Sequence, residues 1–255
     1  MNQESKLLNR LDLSAVTWAI IFPSILTFVY FVLLESRDPF YQKLAYGIGK
    51  PIQFGFPLLW VWFAFRDFFQ TDPLPGKLTS WNRYDWIGVG FGFAVVAAMM
   101  AIYFGMLDSS QIAKELVEKA KIKTVDVGID TPFKFLGLGV FYALCHSFLE
   151  EYYWRWFVYG FLRRGFAGWR PSTLTAIAIS SLGFMAHHVI VLVVYFGITS
   201  PLAYLFSMGV AVGGAFWAWL YTKSNSLRAP WVSHMIVDAG IFLLGYLILK
   251  PYLVG

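Results

Sequence analysis

Stretches of about 20 consecutive residues with almost no charge recur along the whole chain, and no other feature limits its fold so strongly. A helix of that length crosses the ~30 Å hydrocarbon core of a bilayer, where every backbone N–H and C=O must be satisfied within the helix itself. Apolar spans fall near 14–34, 44–65, 85–106, 133–162, 172–196, 201–222 and 229–249. The expected fold is therefore all-α: a polytopic membrane helix bundle of seven spans, or eight if the long fourth segment breaks, around an internal polar cavity. Little chain remains for a soluble unit, so residues 1–255 read as a single integral-membrane domain. Composition agrees, with 58% hydrophobic, 20% aromatic and only 14% charged residues among 255. The first span is too long, and has no small-residue cleavage site behind it, to be a removable signal peptide; it reads as a retained anchor.

The net charge of +5 does not point to nucleic acid, because the basic residues lie singly between apolar spans. Such residues orient a membrane protein, Lys and Arg gathering on the cytoplasmic side. With seven spans, Lys6, Arg10, Arg66, Lys77, Arg83, Arg163, Arg164, Arg170, Lys223 and Arg228 share one side, which places the N-terminus in the cytoplasm. Between the third and fourth spans, Ile112, Leu116 and Val117 share a face opposed to Lys114, Glu118 and Lys121, the pattern of an interfacial amphipathic helix or, equally, a solvated connector. Prolines and a glycine mark "TDPLPGKLTSWNRYD" as a loop. Cys145 is the single cysteine, which excludes an intramolecular disulfide and a cysteine-rich metal site.

Against this background the ionisable residues inside the spans stand out, since each carries an insertion penalty of roughly 2.5–3.5 kcal/mol near a helix centre. The fourth span has His146, Glu150, Glu151 and Arg155, the fifth His187 and His188, and the seventh His234 and Asp238. Lys50, beside Pro51, reads as a snorkelling or loop residue. Residues four apart share a helix face and immediate neighbours diverge by about 100°. Glu151 can therefore pair with Arg155, while Glu150 is free for another partner; His146 and Glu150, Phe184 and His188, and His234 and Asp238 repeat the interval. One shared polar pocket would accommodate all three faces. Taken singly, the Glu151–Arg155 pair is as readily structural, and each histidine a satisfied core residue; His146 and His187 are left at that reading. Tyr152, Tyr153, Trp154 and Trp156 read as interfacial aromatics or pocket walls. At 1.5 Å per residue, Glu150, His188 and His234 would lie roughly 20, 24 and 8 Å from the cytoplasmic ends of their helices, depths that do not coincide.

"EEYYWR", "FMAHH" and "HMIVD", in that order and on successive late spans, match the EExxxR, FxxxH and Hxxx(Asn/Asp) motifs. Over residues 135–245, the expected protease core, the chain resembles the CPBP family, the CAAX-protease and bacteriocin-processing (Abi) intramembrane endopeptidases. The resemblance implies a conical hydrated cavity and hydrolysis of a peptide bond in a membrane-embedded or lipidated, CAAX-like protein. It assigns Glu150 and His188 to activating a water, His234 and Asp238 to stabilising the oxyanion, and Arg155, paired with Glu151, to holding the motif in shape. A carboxylate held out of bulk water suits that base role. Asp238 stands where many members have Asn, so it would need to be protonated or to orient His234. Trp156 follows the motif arginine where the family commonly has Gly, which predicts a narrower groove. No cofactor is expected; zinc held by His188, His234 and a carboxylate is the metal-dependent version, without the HExxH signature.

The implied partners are a membrane protein or lipidated peptide substrate and the lipid bilayer, in what reads as a prokaryotic plasma membrane. The rival reading is a non-catalytic carrier or immunity and binding protein using the same cluster; a carrier predicts internal repeats, and none is seen.

Overall fold

The computed structural model describes residues 3–64, 81–108, 110–126, 128–165 and 169–253, and among these every regular element is helical. Helix α1 is Gln3–Phe28, prolonged by a π-helical turn, Val29–Leu33; α2 is Pro39–Ala64; α3 is Arg83–Ile102, prolonged by Tyr103–Leu107. The amphipathic segment forms α4, Gln111–Asp126. Then come α5, Pro132–Arg164, α6, Thr173–Phe196, α7, Pro201–Ser224, and α8, Arg228–Leu249. Side chains give the starts and stops. Thr131 and Ser172 accept from the backbone N–H groups of Lys134 and Thr175, and Asn225, left-handed at φ 49°, ends α7.

Among the described residues six helices are long and apolar enough to cross a membrane: Leu11–Leu33, Arg83–Leu107, Pro132–Arg164, Thr173–Phe196, Pro201–Ser224 and Arg228–Tyr252. The chain is thus a multi-pass membrane protein. Expected span 44–65 is a helix of 26 residues, but three glycines, two prolines, Lys50 and Gln53 dilute its hydropathy. The long fourth segment does not break. Instead α5 runs through two π-helical stretches, Tyr142–His146 and Tyr152–Tyr159, marked by N–H bonds five residues back, from Ser147 to Tyr142 and from Gly160 to Arg155. All eight residues of the second stretch are buried. It is the axis of the bundle and not an interfacial belt: the Tyr153 hydroxyl donates to the Ala19 carbonyl at 2.7 Å, and Trp156 stacks on Tyr152.

Small residues let α3 and α8 meet closely. A Cβ on Gly88 would lie 2.7 Å from the Ala229 carbonyl oxygen, and one on Gly92 2.9 Å from that of Ser233. At the same end Arg228 grips Asp85 through Nε and Nη2 at 3.0 and 2.7 Å, and Asp85 also caps α3 by accepting from Asn82 N–H. Arg228 was expected as a loop charge, and Asp85 had been given no role. Trp60 donates to Asp12 there too, so the ends of α2 and α3 that adjoin 65–80 lie with the starts of α1 and α8. Of the basic residues predicted to share this side, Arg66 and Lys77 lie outside the described residues, as do residues 71–80 of the expected loop 71–85, within whose remainder α3 already begins at Arg83. The opposite end carries α4, where Lys119 donates to the Val194 and Tyr195 carbonyls that close α6 and Lys123 pairs with Glu35 at 3.1 Å. Leu116 and Val117 turn inward as the pattern requires, whereas Ile112 stays exposed and Ala113 takes the buried place.

Candidate active site

Three helices bring their ionisable faces together. Glu150 projects from the short α-helical piece of α5 between the two π stretches and is buried. Three imidazoles surround its carboxylate: His146 Nδ1 at 3.9 Å, His187 Nε2 at 3.6 Å and His234 Nε2 at 3.7 Å. His188 completes a group with Glu150 and His187 whose ligand atoms all lie within 4.8 Å of one another. The spacing argument anticipated His188 and missed His187. Two adjacent side chains on α6 diverge, yet both reach Glu150 because it faces the helix between them. His146 was visible at the i,i+4 interval and had been left as core. All four histidines of the chain are in this one place.

Glu151 lies on the other flank with no exposed surface. It accepts from Arg155 Nε at 2.9 Å and Nη2 at 3.3 Å, and its Oε1 is 2.9 Å from His234 Nδ1. Because an ionised carboxylate only accepts, that contact puts a proton on Nδ1 and turns Nε2 toward Glu150 and toward Asp238 Oδ1, 3.6 Å away. Trp217 stacks on the His234 ring at 4.0 Å and is itself held by a hydrogen bond to Ser233. Arg155 lies over the rings of Phe184 and Trp217, a cation–π setting that offsets part of its desolvation. Phe184, expected as packing, is indeed the wedge between α5, α6 and α8. Its ring touches His188 and His234, and its carbonyl is 2.9 Å from His188 Nδ1. The unequal depths are met in this way: Phe184, a turn before His188, packs against His234, and the longer side chains bridge the remaining distance.

The polar floor opens into a cavity of about 690 Å³ between α3, α6, α7 and α8, reaching as far as Leu116 and Ala120 of α4. His188, His234 and Asp238 supply its polar atoms, while Phe91, Met99, Phe206, Val210 and Leu244 are among its apolar walls. Trp156 does not line it, so the predicted narrowing of the groove is not found there; the residue packs in the bundle core instead. The donor set for a divalent cation also differs from the expected one. Glu150, His187 and His188 are grouped, whereas His234 is committed to Glu151. In that group His187 has no hydrogen-bond partner on either ring nitrogen, and a small closure of the 4.8 Å group would let its imidazoles and the carboxylate converge on a metal, which would polarise a bound water.

Lys50 departs most from expectation. It neither snorkels nor sits in a loop. Eleven residues from the start of the 26-residue α2, it is buried, with Nζ donating to Gln53 Oε1 at 3.2 Å. Phe54 lies under the ammonium at 5.4 Å and meets the His146 ring edge-on at 5.9 Å, which sets the cation beside the Glu150 cluster. Gly49 before it and Pro51 after it made the segment read as a helix break.

No curated protein and no solved structure matches the chain. Every ionisable residue of the site except Lys50 falls within residues 132–240, the segment that matches the family model described as type II CAAX prenyl endopeptidase Rce1-like, and that match bears out the resemblance carried by the three motifs.

Proposed function

We propose that the protein is an intramembrane endopeptidase that hydrolyses a peptide bond in a lipidated, CAAX-like substrate with a water activated by Glu150. The observation that carries this reading is the burial of Glu150 among three imidazoles at 3.6–3.9 Å, one of which, His234, also lines an apolar cavity. A carboxylate with imidazoles at that range, just beyond direct hydrogen bonding, leaves room for a water between them. Glu150 takes a proton from the water as its oxygen bonds the scissile carbonyl carbon. The carbonyl π pair moves to oxygen, where His234, an imidazolium held between the Glu151 and Asp238 carboxylates with a proton on each ring nitrogen, donates to it from Nε2–H. Collapse breaks the C–N bond, and the proton returns from Glu150 to the leaving amine. Glu151 fixes the His234 ring, Arg155 fixes Glu151, and Asp238 receives the Nε2 proton's hydrogen bond when no oxyanion is there. His187 and His188 hold the water from the side of α6. The apolar walls suit an isoprenoid or acyl chain and offer it almost no polar contact. Residues 135–245 are the catalytic core of one membrane domain whose N-terminus faces the cytoplasm.

The test uses a farnesylated CAAX peptide and the purified protein. Glu150→Gln is expected to lower kcat by about 10²–10⁴-fold, with the variant still folded, while chelation of divalent metal leaves the wild-type rate unchanged. Cleavage that survives Glu150→Gln overturns the base assignment. Loss on chelation with rescue by zinc moves the chemistry to a metal on Glu150, His187 and His188. Peptide binding without cleavage by wild type favours the binding-protein reading.

A further inference from the structure

A lysine buried near the midpoint of a helix is costly, and it is retained where something compensates its charge. Around Lys50 the compensation within the chain is partial. Its Nζ makes one hydrogen bond, to Gln53 Oε1, and the rings of Tyr46 and Phe54 lie 5.9 and 5.4 Å from it. Among the described residues no carboxylate stands within 4.0 Å of that ammonium. Gln53 is fully buried, and its Nε2, on the same amide group as the oxygen that receives Lys50, has no hydrogen-bond partner. Two adjacent buried side chains therefore offer donors, one of them cationic, and among the described residues no acceptor answers both.

We propose that Lys50 and Gln53 bind the C-terminal carboxylate of the substrate, so that the enzyme reads a free chain end on one side of Glu150 and a lipid chain on the other. A carboxylate is the ligand class that fits, since its two oxygens accept from the ammonium and the amide together while its charge neutralises the lysine. Placement agrees. Lys50 reaches Glu150 through Phe54 and His146, whereas the apolar cavity meets the site through His188, His234 and Asp238, so the two features flank the reacting carboxylate. This assignment rests on the peptidase reading above and gives it two residues that distinguish a free C-terminus from a blocked one.

The experiment compares one farnesylated CAAX peptide as its free acid and as its C-terminal amide, with wild type, Lys50→Met, Lys50→Arg and Gln53→Leu. Wild type is expected to prefer the acid by roughly 30- to 1000-fold in kcat/KM, the range of a lost partner in a buried charge pair. Lys50→Met should erase the preference, bringing the rate on the acid down to that on the amide. Lys50→Arg should keep part of it, and Gln53→Leu should lower it without removing it. Equal cleavage of acid and amide by wild type overturns the proposal with no variant needed. An equal fall on both peptides in folded Lys50→Met also overturns it, leaving the lysine a structural or electrostatic support for Glu150. If Lys50→Met does not fold, the ratio in Gln53→Leu decides, an unchanged ratio counting against the proposal. A wild type that cleaves neither peptide refutes the peptidase reading itself.

Discussion

Glu150 and Glu151 are neighbours in sequence and opposite in task, because one residue of helix rotates their carboxylates by about 100°. Glu150 faces imidazoles; Glu151 faces a guanidinium and one imidazole nitrogen. Glu151→Gln removes the charge that answers fully buried Arg155 and loosens His234 at the same stroke. We expect a loss of about 2–4 kcal/mol, since stripping one partner from a buried ion pair leaves the other uncompensated, and a drop in kcat larger than any change in KM. Thermal unfolding in detergent and steady-state kinetics on the same sample check both. An unaltered melting temperature would mean that Arg155 does not depend on this carboxylate. The i,i+4 rule made the Glu151–Arg155 pair and the His234–Asp238 spacing legible in the sequence. It could not show that His146, His187 and Lys50 turn toward Glu150, because each depends on how two helices face each other across a gap of many residues.

Seven of the eight helices correspond to apolar spans drawn from the sequence, and α4 to the amphipathic segment, because hydrocarbon leaves an apolar run few other solutions. The contacts between helices were less visible. Asp85 and Arg228 lie 143 positions apart, and each reads as an ordinary loop-end charge until α3 and α8 are laid side by side. Gly88 and Gly92 likewise acquire meaning only when Ala229 and Ser233 are found against them. Asp85→Ala removes both the cap of α3 and the partner of Arg228. About 2–3 kcal/mol of destabilisation is expected, below the 3–5 kcal/mol of a pair deep inside a protein, because this pair sits at the end of its helices. A melting temperature equal to that of wild type would show the pair to be incidental. Activity measured well below the transition should be little affected, since the pair touches no group that reacts.

Across the whole molecule the charge is unevenly placed. The ends of the bundle near Arg83, Arg163, Arg164, Lys223 and Arg228 are those that the positive-inside rule assigns to the cytoplasm, and α4 lies at the other end. The apolar cavity runs from the histidines toward α4. In that orientation the cavity extends toward the half of the bilayer away from the cytoplasm, a consequence that composition could never disclose. With native Cys145 replaced by Ala, a cysteine at Lys223 should resist a membrane-impermeant thiol reagent in intact cells and one at Lys121 should react. The reverse pattern would invert the topology and leave the site geometry unchanged.

The two wide turns in α5 have a bearing on how such a chain can vary. Each accommodates more residues per turn than the α-helix around it, so Tyr142–His146 works as a phase adjuster between the start of α5 and the segment that holds Glu150. Deleting a single residue there would let the backbone relax to regular winding. Everything before it, Phe135 against Phe242 included, would then swing by about a quarter of a circle relative to the carboxylates, and length in this short piece of sequence is consequently less free to change than side-chain identity.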